Sequence, residues 1–315
     1  MPKPHRPLRY RFVILCALLL LTGCGLLQTP IRDPLQGRCE CPYDLDRAGQ
    51  TCGEKSSYSR PGGDRPVCYV GEGSAPSASQ KNLALGNPSN ANSRDRNNYL
   101  TVKPQYALAY NSSTGTANWA SWHLDRSWIG RAERQNDFRP DETLPADWYR
   151  VRESDYRGSG YDRGHLVPSA DRTRSATDNS ATFLMTNMIP QHPDNNREVW
   201  RELEEYCREL VAKGKELYIV AGPEGRQETI AQGKVVAPQY TWKAIVVLDR
   251  AGVAVTENTR TIAVRMPNSA EVANRRWQDY LVSIDVIEAA TGYDLFSKVP
   301  RNVQAIVESR VDSGF

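Results

Sequence analysis

An α+β domain with a mostly antiparallel central sheet flanked by helices is the fold class this sequence predicts. Three observations point to it. Runs rich in β-branched residues recur through the second half of the chain, as in "KELYIVAG", 215–222, "WKAIVVLD", 242–249, and "RTIAVRMP", 260–267. Earlier runs come in near pairs of the hairpin kind, with "YLTVKPQYALAY", 99–110, alternating like a strand or a broken pair of strands and "NWASWHL", 118–124, as the partner strand. Helical patterns interleave with these hairpins instead of alternating strand–helix–strand, which disfavours a parallel sheet.

Taken in order, the chain of 315 residues begins with a leader. Lys3, Arg6, Arg9 and Arg11 form a basic opening, "FVILCALLLL" follows from Phe12 to Leu21, and "LTGC" ends at Cys24. A basic start, a short apolar core and a small-residue cleavage site make a secretory signal. About 10 apolar residues are too few for an ordinary membrane-spanning helix, which needs about 20. "LTGC" resembles a bacterial lipobox, so residues 1–23 are expected to be removed and Cys24 to carry a lipid that tethers the exported protein to a membrane. With Gly25 and not Asp after the cysteine, a Gram-negative host would place it at the outer membrane or cell surface. A plain signal peptide would leave it periplasmic or secreted.

The whole chain has 40 basic and 37 acidic side chains. The leader takes away four basic and no acidic ones, leaving 36 against 37. A net charge of −1 gives no global attraction to nucleic acid, so any affinity for phosphate has to come from a local cluster.

Residues 24–81 are expected to be a cysteine-rich segment and linker. Cys39, Cys41, Cys52 and Cys68 lie close together, and in an oxidising compartment they imply two disulfides. Three pairings exist, and Cys39–Cys41 is disfavoured because a single intervening residue strains the ring. A zinc site is the weaker reading, since the spacing is C-x-C and no histidine is near. "GEGSAPSASQ", 71–80, reads as linker. Cys207 is left as a free, mostly buried thiol.

The globular domain is expected over 82–315. Its helical signals are "NNREVWRELEEYCRELV", 195–211, and "AEVANRRWQDYLVSIDVIEAATG", 270–292, a short helix and then one ending at Gly292. In the first, Asn195 and Asn196 sit where an N-cap is expected. Asn196, Trp200, Glu204 and Arg208 recur every four residues along one stripe, beside an apolar stripe of Val199, Leu203, Tyr206, Cys207 and Leu210. Alone, Glu204 and Arg208 would be a surface pair worth a few tenths (~0.3) of a kcal/mol, Asn196 a cap, and His165 a structural histidine.

The conjunction carries more than its parts. "SGYDRGHLVPSADR", 159–172, puts an imidazole next to a guanidinium, "TFLMTNMIPQHPDNNREVW", 182–200, supplies Asn187 and Asn196, and "LEEYCREL", 203–210, supplies Glu204 and Arg208. Over roughly 82–310 the chain resembles the DNA/RNA non-specific endonuclease family, the Serratia-type nucleases and endonuclease G. The resemblance implies a ββα-metal active-site motif in which a hairpin-like element delivers the histidine and a helix delivers a metal-binding asparagine. It implies His165 as general base, Asn196 as protein ligand of Mg²⁺ (or Mn²⁺ or another divalent cation), Arg163, Glu204 and Arg208 as supporting residues, and Asn187 as a further active-site asparagine. DNA and RNA are the implied substrates. Some members carry an arginine where this chain has Ala117 in "TANW", 116–119, and Arg126 and Arg139 are the candidate substitutes.

The chemistry is consistent with the residue types. Phosphodiester hydrolysis needs an activated water, which a histidine with a pKa near 6.5 can deprotonate at neutral pH. Mg²⁺ stabilises charge on phosphoryl oxygens and keeps most of its waters, so a single Asn ligand suffices. No base-reading element stands out, so backbone contacts and weak sequence preference are expected. Three rivals differ in class: a catalytically dead nucleic-acid-binding lipoprotein, against which both His165 and Asn196 are present; a small-molecule phosphodiesterase, which would favour a carboxylate-rich metal cluster; and a surface binding module built on the cysteine segment.

Overall fold

The computed structural model describes residues 30, 33–60, 66, 68, 77–250 and 252–314. The leader, Cys24 and residues 71–76 of the expected linker lie outside the described residues. The chain divides into two compact units, Met1–Ala75 and Pro76–Phe315.

In the first unit, disulfides join Cys39 to Cys52 and Cys41 to Cys68. The buried Asp44 carboxylate accepts hydrogen bonds from the backbone N–H groups of Leu35 and Cys41, which satisfies donors in a segment with little regular structure. Cys207, in the second unit, is free and buried.

The second unit opens with the four-residue helix α1 (Ala78–Lys81), capped by Ser77 in a reciprocal capping box with Gln80. Ser77–Gln80 are therefore structured, where linker was expected. A seven-stranded antiparallel sheet follows, built from β1 (Tyr99–Val102), β2 (Ala107–Asn111), β3 (Thr116–Leu124), β6 (Glu216–Glu224), β9 (Tyr240–Leu248), β10 (Arg260–Pro267) and β11 (Leu281–Val282), in the order β1-β2-β3-β6-β9-β10-β11. Two small antiparallel pairs stand apart from it: β4 (Asp162–His165) with β5 (Met188–Gln191), and β7 (Thr229–Ile230) with β8 (Val235–Val236). The helices are α2 (Ala176–Ala181), α3 (Trp200–Ala212), α4 (Ile284–Thr291) and α5 (Arg301–Val307).

Both sheet faces are covered, which explains why β9 reads as a nearly continuous apolar run. Ile245 and Val247 point to the core layer that holds Val199, Leu203, Cys207 and Leu210 of α3 and its lead-in. Trp242, Ala244 and Val246 point the other way, to Ile284 and Ile287 of α4 and Val303 and Val307 of α5. The expected apolar stripe of α3 is the face it buries. Gly292 ends α4 in the left-handed conformation, φ 74°, which glycine adopts without a Cβ penalty.

Helix α3 differs from expectation at its start. The chain is already helical from Pro193, with a π-helical turn over Asn195–Val199, so neither asparagine is the N-cap. Asn195 is fully buried, and its amide donates to the Pro267 carbonyl and Thr241 Oγ1. That anchor ties the helix lead-in to the sheet and leaves Asn196 on the open side.

Candidate active site

The β4–β5 pair and the helix that follows form one local unit. His165 lies opposite Met188 and Asp162 opposite Gln191, and the chain turns from Gln191 directly into the helical lead-in. The two strands are separated by the long excursion 166–187, so the pair forms by tertiary pairing and not through a tight turn. Gly164 is required by the approach of Gln191: a Cβ at 164 would lie 2.5 Å from Gln191 Cβ.

These elements surround a cleft of about 370 Å³, lined by Arg134, Arg163, His165, Asn196, Glu204 and Arg208, with Arg197, Arg201, Glu205 and residues 168–170 around them. Five arginines and two glutamates give it a local charge of +3, against 40 basic and 37 acidic side chains spread over the whole chain. The electrostatic cluster that composition could not reveal is concentrated here.

His165 stands on β4 with its ring edge-on to Phe138 and Phe183, centroids 5.7 and 5.0 Å away. Its Nε2 is buried and has no hydrogen-bond partner in the protein. Burial, and then the charges of Arg134 and Arg163, push the imidazole down to about 3. The ring is therefore neutral at pH 7, the form that accepts a proton.

The Asn196 amide nitrogen donates to Asp162 Oδ2 at 2.9 Å. Asp162 also takes two bonds from Arg197, at 2.7 and 2.6 Å. Burial opposes ionisation of Asp162, but the bonds from Arg197 and Asn196 outweigh it and hold the carboxyl below its usual range. Asn196 lines the cleft, and the bond to Asp162 occupies its amide nitrogen and not its carbonyl oxygen. That oxygen and the Glu204 carboxylate are hard donors of the type Mg²⁺ takes, so the residues present are compatible with such an ion.

Glu204 and Arg208 are not a mutual surface pair. Glu204 faces the fully buried Lys243 Nζ of β9 at 3.7 Å, and burial pushes it up to about 7 although Lys243 and Arg208 pull the other way. Lys243 also lies 4.1 Å over the Trp200 ring. Arg208 donates to Asp171 Oδ1 at 3.0 Å, and Asp171 Oδ2 accepts from Trp122 Nε1 at 3.0 Å. Arg163 stacks 4.5 Å over Phe138 and pairs with Glu153 at 2.7 Å.

Two expectations change. Asn187 does not reach the cleft: it is fully buried, accepts from the Val167 N–H and donates to the carbonyls of Val167 and Thr182. It holds the backbone just beyond His165. Neither Arg126 nor Arg139 lines the cleft. Arg126 is exposed and Arg139 is bonded to Asp137 and the Ser180 carbonyl. Arg134, which precedes the first motif, lines the cleft in their place, stacked 4.8 Å over Phe183 and bonded to Ser169 and Asn136. Sequence reasoning missed Arg134, Asp162, Asp171 and Lys243. The "YDRGH" run contains Asp162, so its signal was present; Arg134 sits in irregular "RAERQNDFRP", 131–140, and Lys243 inside an apolar strand, where no local pattern marks them.

A second group, His123, Asp125 and Glu216, is separate. Trp122 of β3 faces the α3 layer and His123 the opposite one, by the pleat. His123 Nε2 is bonded to Glu216 Oε1 at 2.5 Å and Lys81 lies 3.8 Å from the same oxygen, so these donors already have partners.

The family model for DNA/RNA non-specific endonucleases matches residues 85–302. A protein named "Nuclease" from Nostoc sp. (strain PCC 7120) is 58% identical over 236 residues, covering 73% of this chain and 86% of its own. Mitochondrial endonuclease G of Homo sapiens is 32% identical over 207 residues, 61% of this chain and 68% of that one. Mitochondrial nuclease EXOG of Xenopus laevis is 30% identical over 212 residues, 62% of this chain; the match spans 58% of the EXOG chain. Among solved structures, the EndoG/EndoGI complex superposes with a TM-score of 0.63 at 24% identity, over 73% of this chain and 95% of that one, which is a likeness of fold. With most of its second unit matched by the family model and the cleft built from the motif residues, this chain belongs to the DNA/RNA non-specific endonuclease family.

Proposed function

We propose that the protein is an exported, lipid-anchored, Mg²⁺-dependent nuclease that hydrolyses DNA and RNA with little sequence preference, using His165 as general base. The observation that carries the reading is the buried, unpartnered Nε2 of a neutral His165 in an arginine-lined cleft that Asn196 also lines, its amide nitrogen held by Asp162.

The phosphodiester enters between Arg134, Arg163 and Arg208, which neutralise charge on its non-bridging oxygens and stabilise the more highly charged transition state. Its negative charge offsets the arginines that depress His165, which restores basicity to the imidazole in the complex. A water beside Nε2 gives its proton to the ring as its oxygen attacks phosphorus, and the bond to the 3′-oxygen breaks. Asn196, oriented by Asp162, and Glu204, directly or through water, would hold Mg²⁺. That ion would supply charge stabilisation on the phosphoryl and leaving oxygens. Glu204 is kept in place from below by Lys243, and Arg208 by Asp171. No helix or loop of the cleft carries an evident base-reading set, which favours backbone contacts. The two disulfides and the basic-apolar-"LTGC" leader support export and anchoring through Cys24.

Cleavage of a plasmid and of an RNA, with Mg²⁺ titrated and with EDTA, tests this. His165→Ala should lower kcat by about 10²–10⁴-fold with little change in KM. Asn196→Ala should need more Mg²⁺ to recover part of its rate. EDTA should abolish cleavage of both substrates. Full activity in folded His165→Ala refutes the assignment.

A further inference from the structure

The nucleolytic cleft occupies the α3 side of the sheet. On the other side, where α4 and α5 pack, three carboxylates meet that the reaction does not use. Asp285 lies in the first turn of α4, Glu288 follows one turn later, and Glu308 ends α5. A carboxylate oxygen of each lies within 4.8 Å of the other two. Glu308 is only 6% exposed, and its Oε1 is buried with no hydrogen-bond partner. A buried polar atom without a partner is costly, and a buried ionised one more so. Among the described residues, no ion pair reaches any of the three.

The trio is also fixed in place. The Asp285 N–H donates to the Glu308 carbonyl at 3.1 Å, joining the start of α4 to the end of α5. Glu288 Oε1 accepts from the Leu295 N–H at 2.6 Å. Nearby Asp294 is engaged by Gln304 Nε2 at 3.1 Å. Asp285 is exposed, so solvent has a route to the group.

We propose that Asp285, Glu288 and Glu308 form a calcium-binding site that clamps the start of α4 to the end of α5. The donors are all carboxylate oxygens, which select a hard cation over zinc or copper. Calcium accepts irregular sets of carboxylates and waters, whereas magnesium demands near-octahedral geometry and gives up its waters reluctantly. Three acids from two helices match the former. A proton is the competing occupant, because burial and then Glu288, Asp294 and Asp285 push Glu308 up to about 8. The His123–Asp125–Glu216 group has no comparable orphaned atom.

Thermal melting of the full chain tests the site, with excess magnesium present so that the nucleolytic cleft is saturated. Calcium at about ten times its dissociation constant should raise Tm by about 3–5 °C, with an affinity of about 10⁻⁴–10⁻³ M, the range of extracellular calcium modules. Asp285→Asn/Glu288→Gln should remove that shift while plasmid cleavage is retained. The single Glu288→Gln variant, in which the amide oxygen still accepts from Leu295, should weaken calcium binding and serves if the double variant does not fold. An undiminished calcium shift in these variants, or no shift in the parent at about 10 mM calcium, ten times the weak end of that range, overturns the proposal. So does a parent that is stabilised by acid but not by calcium, since the occupant is then a proton.

Discussion

At the scale of single residues, the site depends on groups that hold other groups. Asp162 touches no reacting atom in the proposed mechanism, yet it holds the amide nitrogen of Asn196. Asp162→Ala should therefore resemble a weakened Asn196: the Mg²⁺ concentration giving half-maximal rate should rise about tenfold or more, the usual cost of losing a ligand's orienting partner. An unchanged magnesium requirement would show that Asp162 only anchors Arg197. A pH effect arises away from the cleft, at Asp141. Its buried carboxylate accepts from Thr143 N–H and Oγ1 and from Thr186 Oγ1, with Lys103 Nζ at 3.4 Å. Burial alone would raise it, but these partners hold it below its ordinary value of 3.8. A depressed carboxylate stabilises the fold above its unfolded value, and that stabilisation is lost as pH falls through the folded one. Asp141→Asn should cost about 1–3 kcal/mol at pH 7, and the gap from the parent should close below about pH 4. Urea unfolding at several pH values reads this; a gap independent of pH removes the ionised Asp141 from the account.

At the scale of elements, the β4–β5 pair decides where His165 stands. Gly164 is its tight point. Gly164→Ala would force the new Cβ against Gln191, which is itself buried and bonded to Asn195 through Nε2. Gln191 cannot swing away without releasing the lead-in to α3. Displacement of His165 by about 1 Å should lower kcat by about 10²-fold, with about 1–3 kcal/mol of destabilisation from overpacking. Circular dichroism with plasmid cleavage checks it; a fully active Gly164→Ala would mean that the strands separate without moving the histidine. The stripe on α3 was legible because a 3.6-residue period is a local property. The start of that helix was not. Asn195 looked like a cap, and only its partners 46 and 72 residues away on β9 and β10 make it an internal anchor.

At the scale of the whole molecule, the cysteines and the cleft belong to different units. All four disulfide cysteines precede Pro76, and each motif residue follows it. Reduction with dithiothreitol should open the first unit and leave nuclease activity within about twofold, since each bond acts by restricting the unfolded chain of the segment it closes, and both segments lie within residues 39–68. Loss of activity on reduction, with Cys207 blocked as a control, would show that the first unit supports the second. Charge also separates by region: a chain with 40 basic against 37 acidic side chains concentrates five arginines at one cleft, so attraction for phosphate is local.

The sequence by itself determined the α+β class, the places of the main strands along the chain and the apolar face of α3, and its family resemblance singled out His165, Arg163, Asn196, Glu204 and Arg208, which the structure brings to one cleft. The class, strands and helix face follow from short-range periodicity, while the site residues come from motifs spread over 163–208 that the fold gathers. Only the tertiary structure decided that the cysteines pair 39–52 and 41–68, that Asn187 braces backbone instead of lining the cleft, that Arg134 and not Arg126 or Arg139 lines it, and that Lys243 stands under Glu204. Each of these is a contact between segments from 13 to 39 residues apart, or between a strand and the helix packed over it. Such pairings are set by how the sheet, the α3 layer and the irregular loops close together. The same local pattern is compatible with several partners until packing selects one, and for that reason a buried lysine in an apolar strand or an arginine in a loop carries no mark of its role in the chain alone.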